Sequence, residues 1–475
     1  MRRLQFGVLI AIGGLLLPTL VIPTPARAAK ARVRVLREIS GPSPFAPDGC
    51  GLGTTDQGAE YTPELMVNPV RRRNLIAIYS QDDEISTVVS ASRDGGRRWT
   101  QVLVPGLSRC TGGTYSNAFD PDVAIGPDGI AYLSSAVSEG NPSSWSLLVN
   151  ASTDGGFSWS DPVTIDRQGP FPFAAVDLPV ITANPYVPRT AYLVWNQILF
   201  LQLRSPQLFS RTTDGGTTWT PPAMIPITPQ ADLDPIASQI RVLPDGTLVD
   251  VFDQVRVANP LSGPVGPTGV WVARSTDQGD TWSDPIHVAD IPANVLTDPD
   301  SGTGLGRGNS WQVASVAVGA DGALYVAWHL IESTSSSRIL FVKSVDGGLT
   351  WTDPGPVAVE TTQAFKPTIA VSPTGLVGVT YFDFRNDVPG DQELTTDLWF
   401  RHSHDGGTTW SETHVAGPFD LRPAPSPGAF PLGDYFGLVP IGRNGFGAVW
   451  TQTLVSQTDG VTDTFYARLR VSRGR

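Results

Sequence analysis

The chain has 475 residues, a formal net charge of −12, only 16% charged residues, 49 glycines and 42 prolines. That mix is rich in turns and poor in helix formers, which excludes a helical bundle or coiled coil, and 40% hydrophobic content with 13 tryptophans excludes disorder. Net acidity argues against nucleic acid as a partner. Two cysteines are too few for a disulfide scaffold or a Cys-based zinc site.

At the N-terminus, Arg2 and Arg3 precede the apolar run Leu9–Val21, and Ala26-Arg27-Ala28 offers small residues to a signal peptidase. The pattern predicts a secretory signal peptide over residues 1–28 and a single exported domain over 29–475, with no membrane span after cleavage. An uncleaved anchor is the alternative, and the shortness of the run and its interruption by Pro18 and Pro23 argue against it. Export places Cys50 and Cys110 under oxidising conditions, where they can pair; a reactive thiol is the other reading.

Beyond that segment the sequence repeats. Ser/Thr-x-Asp-x-Gly-x-x-Trp occurs six times, with its aspartates at Asp94, Asp154, Asp214, Asp277, Asp346 and Asp405. Asp accepts hydrogen bonds from nearby backbone N–H groups, Gly supplies a backbone that other residues avoid, and Trp buries a large ring. Repetition in every unit suits architecture better than catalysis. A β-hairpin signal recurs seven times, starting at Leu65, Asp122, Val180, Gln239, Ser315, Thr368 and Gly437. Each hairpin leads into a third strand ending at the Asp motif and a fourth starting at its Trp. This predicts an all-β, seven-bladed β-propeller with these turns between strands three and four; the six motifs alone would suggest six blades. The seventh unit lacks its fourth strand, which the segment near 32–39 supplies, closing the ring.

The six motifs resemble the Asp boxes, or BNR repeats, of the sialidase superfamily of propellers. The stretches Tyr381–Pro389, Asp397–Trp410 and Leu432–Leu438 resemble secreted bacterial sialidase-like proteins. The resemblance implies a monomeric glycan-active protein, an exo-α-sialidase-like glycoside hydrolase working at the propeller mouth. The alternatives are a non-catalytic propeller binding glycan or protein there, or a lyase acting on uronic-acid polymers. It also implies that the mouth collects the starts of first strands and the ends of second strands. On that basis Tyr435 is the candidate nucleophile, Asp383 the acid/base, and Arg385 and Arg307 a carboxylate clamp, with Arg256 as a third arginine. Asp120, Asp122, Asp177, Asp253, Trp311 and Asp434 are candidate substrate-binding residues, with Glu60, Glu64, His329 and Lys366 at equivalent places. Carboxylates handle protons and aromatic faces stack on sugars. No cofactor is expected, although mouth carboxylates could hold calcium. The first-blade arginine of the family pattern has no counterpart in Glu60–Pro69.

Overall fold

The computed structural model describes residues 30–472 apart from 46–49, 51–56, 83, 140–143, 171–173, 203, 228–232, 256–267, 293–295, 303, 306–313, 334, 359–362, 425–431 and 455–461. The expected signal peptide lies outside the described residues. Seven four-stranded antiparallel sheets form the blades of a β-propeller. The innermost strands are Glu60–Val67, Asn117–Ile125, Ala175–Ala183, Asp234–Val242, Ser315–Val318, Ala364–Val371 and Leu438–Pro440. The seventh blade takes its outermost strand from Ala31–Glu38, which pairs antiparallel with Thr462–Val471. The two ends of the chain thus share one sheet, as the missing fourth strand implied. Cys50 and Cys110 are disulfide-bonded, tying the segment before blade one to the loop after its fourth strand.

The six Asp turns show why the motif has its spacing. In blade one, Asp94 Oδ1 accepts the N–H groups of Arg97 (2.9 Å) and Arg98 (3.0 Å), while the Gly96 N–H donates to Ser92 Oγ at 3.0 Å. In blade five, Asp346 accepts from Leu349 and Thr350 in the same way. Two consecutive glycines sit at positive φ in five of the turns; in blade four, Gln278 (φ 64°) replaces the first. The second glycine is also a packing residue. A Cβ on Gly96 would meet Tyr466 of blade seven, one on Gly279 would meet Phe209 of blade three, and one on Gly407 would meet Phe341 of blade five. The motif tryptophan lands on the same rings: Trp99 on Tyr466, Trp282 on Phe209, Trp410 on Phe341. Each turn therefore locks its blade onto the preceding one.

The inner strands begin earlier than the hairpin pattern suggests. In five blades the first strand carries a bulge with one residue at positive φ: Thr62, Asp120, Leu178, Ala237 and Lys366. Four of these precede a proline, which in sequence reads as a strand breaker. The bulge lets the strand continue past the proline and turns its start toward the axis.

Gly407→Ala would place a Cβ 2.1 Å from Phe341 Cζ, at φ +99°. It is expected to destabilise the fold by about 3 kcal/mol. Gly246→Ala, at φ +88° with nothing within 4 Å, carries only the backbone penalty of about 1 kcal/mol. Chemical denaturation of the pair separates the packing contribution from the conformational one.

Candidate active site

Along the propeller axis runs a cavity of about 370 Å³ lined by the inner strands of all seven blades. Side chains two apart on a strand share a face, so the lining falls into tiers. Leu178, Ala237, Lys366, Asp434 and Tyr435 stand at the mouth; Glu64, Asp122 and Gln239 lie below them; Met66, Ala124 and Arg241 lie deeper. The bulges set the mouth tier, since Leu178, Ala237 and Lys366 are themselves the positive-φ residues.

Two carboxyl pairs dominate the electrostatics. Asp120 is buried, and burial together with the charges of Asp177, Glu84 and Asp434 pushes its carboxyl well above the usual range. It hydrogen-bonds to Asp177, which burial and Asp434 push up to about 6. Burial is the larger cause in both, and the nearby carboxylates raise the proton affinity further. Below them, burial and the neighbouring Asp122 push Glu64 up to about 8. Asp122 is pushed up to about 6 by burial, held from rising further by the N–H groups of Ile181 and Val123, both at 2.8 Å. Arg241 attracts both carboxyls, while its guanidinium donates to the Val316 carbonyl (3.0 Å) and Gln239 Oε1 (3.1 Å).

Tyr435 crosses the mouth. Its ring packs with Leu178, Ile236, Ala237 and Val255, and its hydroxyl donates to the Pro121 carbonyl at 3.2 Å. Burial and the surrounding carboxylates, Asp120 foremost, hold the phenol well above its ordinary value. Lys366 is lowered to about 8 by burial and donates to the Asp434 carbonyl at 3.0 Å. Burial and Lys366 lower His329 to about 3, leaving it neutral. Among the described residues, no group of three or more His, Cys, Asp or Glu is arranged to hold a metal ion.

Of the residues marked in the sequence, Glu64, Asp122, His329, Lys366, Asp434 and Tyr435 line this cavity, and Asp120 and Asp177 stand beside it within electrostatic reach of Asp434. Asp383 and Arg385 do not join them. Arg385 Nε bonds Asp383 Oδ2 at 2.6 Å, its Nη1 bonds Glu412 at 2.7 Å, and its guanidinium lies 3.9 Å from the Trp399 ring centre. Trp399 Nε1 takes the other Asp383 oxygen at 3.0 Å. These partners hold both groups within blade six, and neither lines the cavity. Asp253 is buried at the end of a second strand, also off the lining. Arg307, Trp311 and Arg256 lie outside the described residues. Gln239, Arg241 and Glu84 were not singled out in the sequence. Alternation along Asp234–Val242 is the only signal that puts the first two on the inner face.

Glu64 has its folded-state pKa raised, so its contribution to stability is present below about pH 4.5 and is lost as pH rises through 8. Glu64→Gln is expected to flatten that decline and to stabilise the protein by roughly 2–3 kcal/mol at pH 8. Melting curves of both forms from pH 4 to pH 8 provide the check.

Residues 210–429 match the BNR repeat-like domain. A comparison with curated proteins finds no significant match. Among solved structures, the chain is similar to the GH93 α-L-arabinofuranosidase of Fusarium graminearum in complex with arabinobiose, at 14% identity, TM-score 0.50, over 93% of this chain and 98% of that one. A PL25 ulvan lyase matches at 12% identity and TM-score 0.50, over 86% of this chain and 93% of that one. A Hadza microbial sialidase matches at 15% identity and TM-score 0.47, over 83% and 73%. By its strand order the chain is a seven-bladed β-propeller, and its residues 210–429 match the BNR repeat-like domain.

Proposed function

We propose that the protein is a glycan-active propeller, a glycoside hydrolase that takes the end of a neutral glycan into its axial mouth. The observation that carries this reading is the interacting carboxyl pair Asp120–Asp177, both shifted upward by burial, with Asp434 within electrostatic reach. The pair can hold a proton near neutral pH and give it to a leaving glycosidic oxygen, while Asp434 stabilises positive charge at the anomeric carbon or activates water. Tyr435 and Leu178 offer the apolar surface on which a sugar ring stacks. The arabinofuranosidase and the lyase of similar fold both act on glycans, which supports the substrate class.

The finer reading, exo-α-sialidase, needs guanidinium groups that clamp a sugar carboxylate. Among the described residues, Arg385 is held by Asp383 and Glu412, and Arg241 lies below the carboxyl tiers. The mouth carboxylates repel an anionic sugar. A tyrosine that donates to a backbone carbonyl and is held protonated is not poised as a nucleophile. Export through the predicted signal peptide remains part of the proposal, and mass spectrometry of the secreted chain, expected to start at Ala29, tests it.

Purified protein is expected to hydrolyse neutral aryl glycosides, α-L-arabinofuranosides first among those tried, and to leave a fluorogenic sialoside intact. Asp177→Asn is expected to lower kcat by roughly 10²–10⁴-fold. Sialoside hydrolysis abolished by Tyr435→Phe would overturn this reading in favour of the tyrosine mechanism. Saturable glycan binding without turnover would make the mouth a lectin-like site.

A further inference from the structure

The turn face, opposite the mouth, carries a patch that the net charge of −12 conceals. In blade one, the turn between strands one and two contains Arg71, Arg72 and Arg73, all exposed. The Asp turn of the same blade packs directly on it, with the Gly95 N–H donating to the Arg73 carbonyl at 2.8 Å, and adds exposed Arg97 and Arg98. Across the ring seam, Arg468 of blade seven reaches within 3.0 Å of the Cβ position at Gly95. Beside it, Arg470 stands directly opposite Arg32 on the closing strand, a like-charge pair that stability alone disfavours. Among the described residues, none of these arginines has a carboxylate within ion-pair distance. The acid in their midst, Asp94, is engaged by its own turn's N–H groups.

We propose that this seam of the turn face docks the protein onto a bilayer rich in anionic phospholipid. Two observations favour a bilayer over a soluble polyanion. Arg71, Arg72, Arg73, Arg97 and Arg98 lie on two adjacent turns of blade one, so they present to a plane. Val70, 58% exposed, adjoins the Arg71–Arg73 triplet and offers an apolar tip to the acyl boundary, the combination peripheral membrane proteins use. Guanidinium forks then bind lipid phosphates bidentately.

The test is co-sedimentation of the chain beginning at Ala29 with vesicles of phosphatidylcholine alone and of equal parts phosphatidylcholine and phosphatidylglycerol. The expected result is a clear preference for the anionic vesicles that fades with added salt. The triple variant Arg72→Glu, Arg97→Glu, Arg98→Glu should lose roughly 100-fold in affinity for them, about fivefold per arginine. The triple lysine variant should keep most of that preference, and Val70→Asp should weaken binding with every arginine in place. Matching melting curves confirm that the variants fold. Equal binding to the two vesicle types, or an unchanged glutamate variant, overturns the proposal. So does capture by soluble dextran sulfate through these arginines without vesicle binding, which would assign the patch to a polysaccharide.

Discussion

A glycine with no room for a Cβ governs this ring. At the second glycine of the Asp turn, positive φ and contact with the preceding blade coincide, so the same atom that turns the chain also sets the spacing between blades. The Asp carboxylate holds the turn in that shape, and the Trp fills the space beside the glycine. The interface between blades six and seven has no such turn. It is sealed instead by the largest apolar cluster in the molecule, in which Phe400 packs on Phe446 with ring centres 5.3 Å apart. Burial substitutes there for the directional lock.

The site follows from the same geometry. Seven inner strands converge on the axis, and bulges at Thr62, Asp120, Leu178, Ala237 and Lys366 tilt their starts into the mouth. Acidic groups on neighbouring inner strands are forced close, and burial removes the water that would screen them. Burial and mutual repulsion raise the proton affinity of their carboxyls.

Much of this was legible in the sequence. The Asp motifs and hairpins specify blade number, strand order and the shared terminal blade, because turn chemistry is local and repeats. Asp120, Asp122, Asp177, Asp434 and Tyr435 could be placed at the mouth from their positions at strand starts. Asp383 and Arg385 misled for a physical reason. A strand end near the mouth fixes where a backbone lies but not where a side chain turns, and Trp399 and Glu412, on other strands of the same blade, draw both groups away. The bulges were hidden by the prolines that follow them, and Arg241 by the plain alternation of its strand.

The shared terminal blade also bears on the order of assembly. Its outer strand precedes all the other strands of the ring in the chain, and the partner of that strand follows them. During synthesis the growing arc of blades can fold locally, since each blade's contacts are mostly with itself and its neighbour, but no circle exists until the final strand emerges. Until then both ends of the arc expose strand edges open to wrong pairing. Such a chain gains from delaying its final packing until the closing strand and its partner are both available.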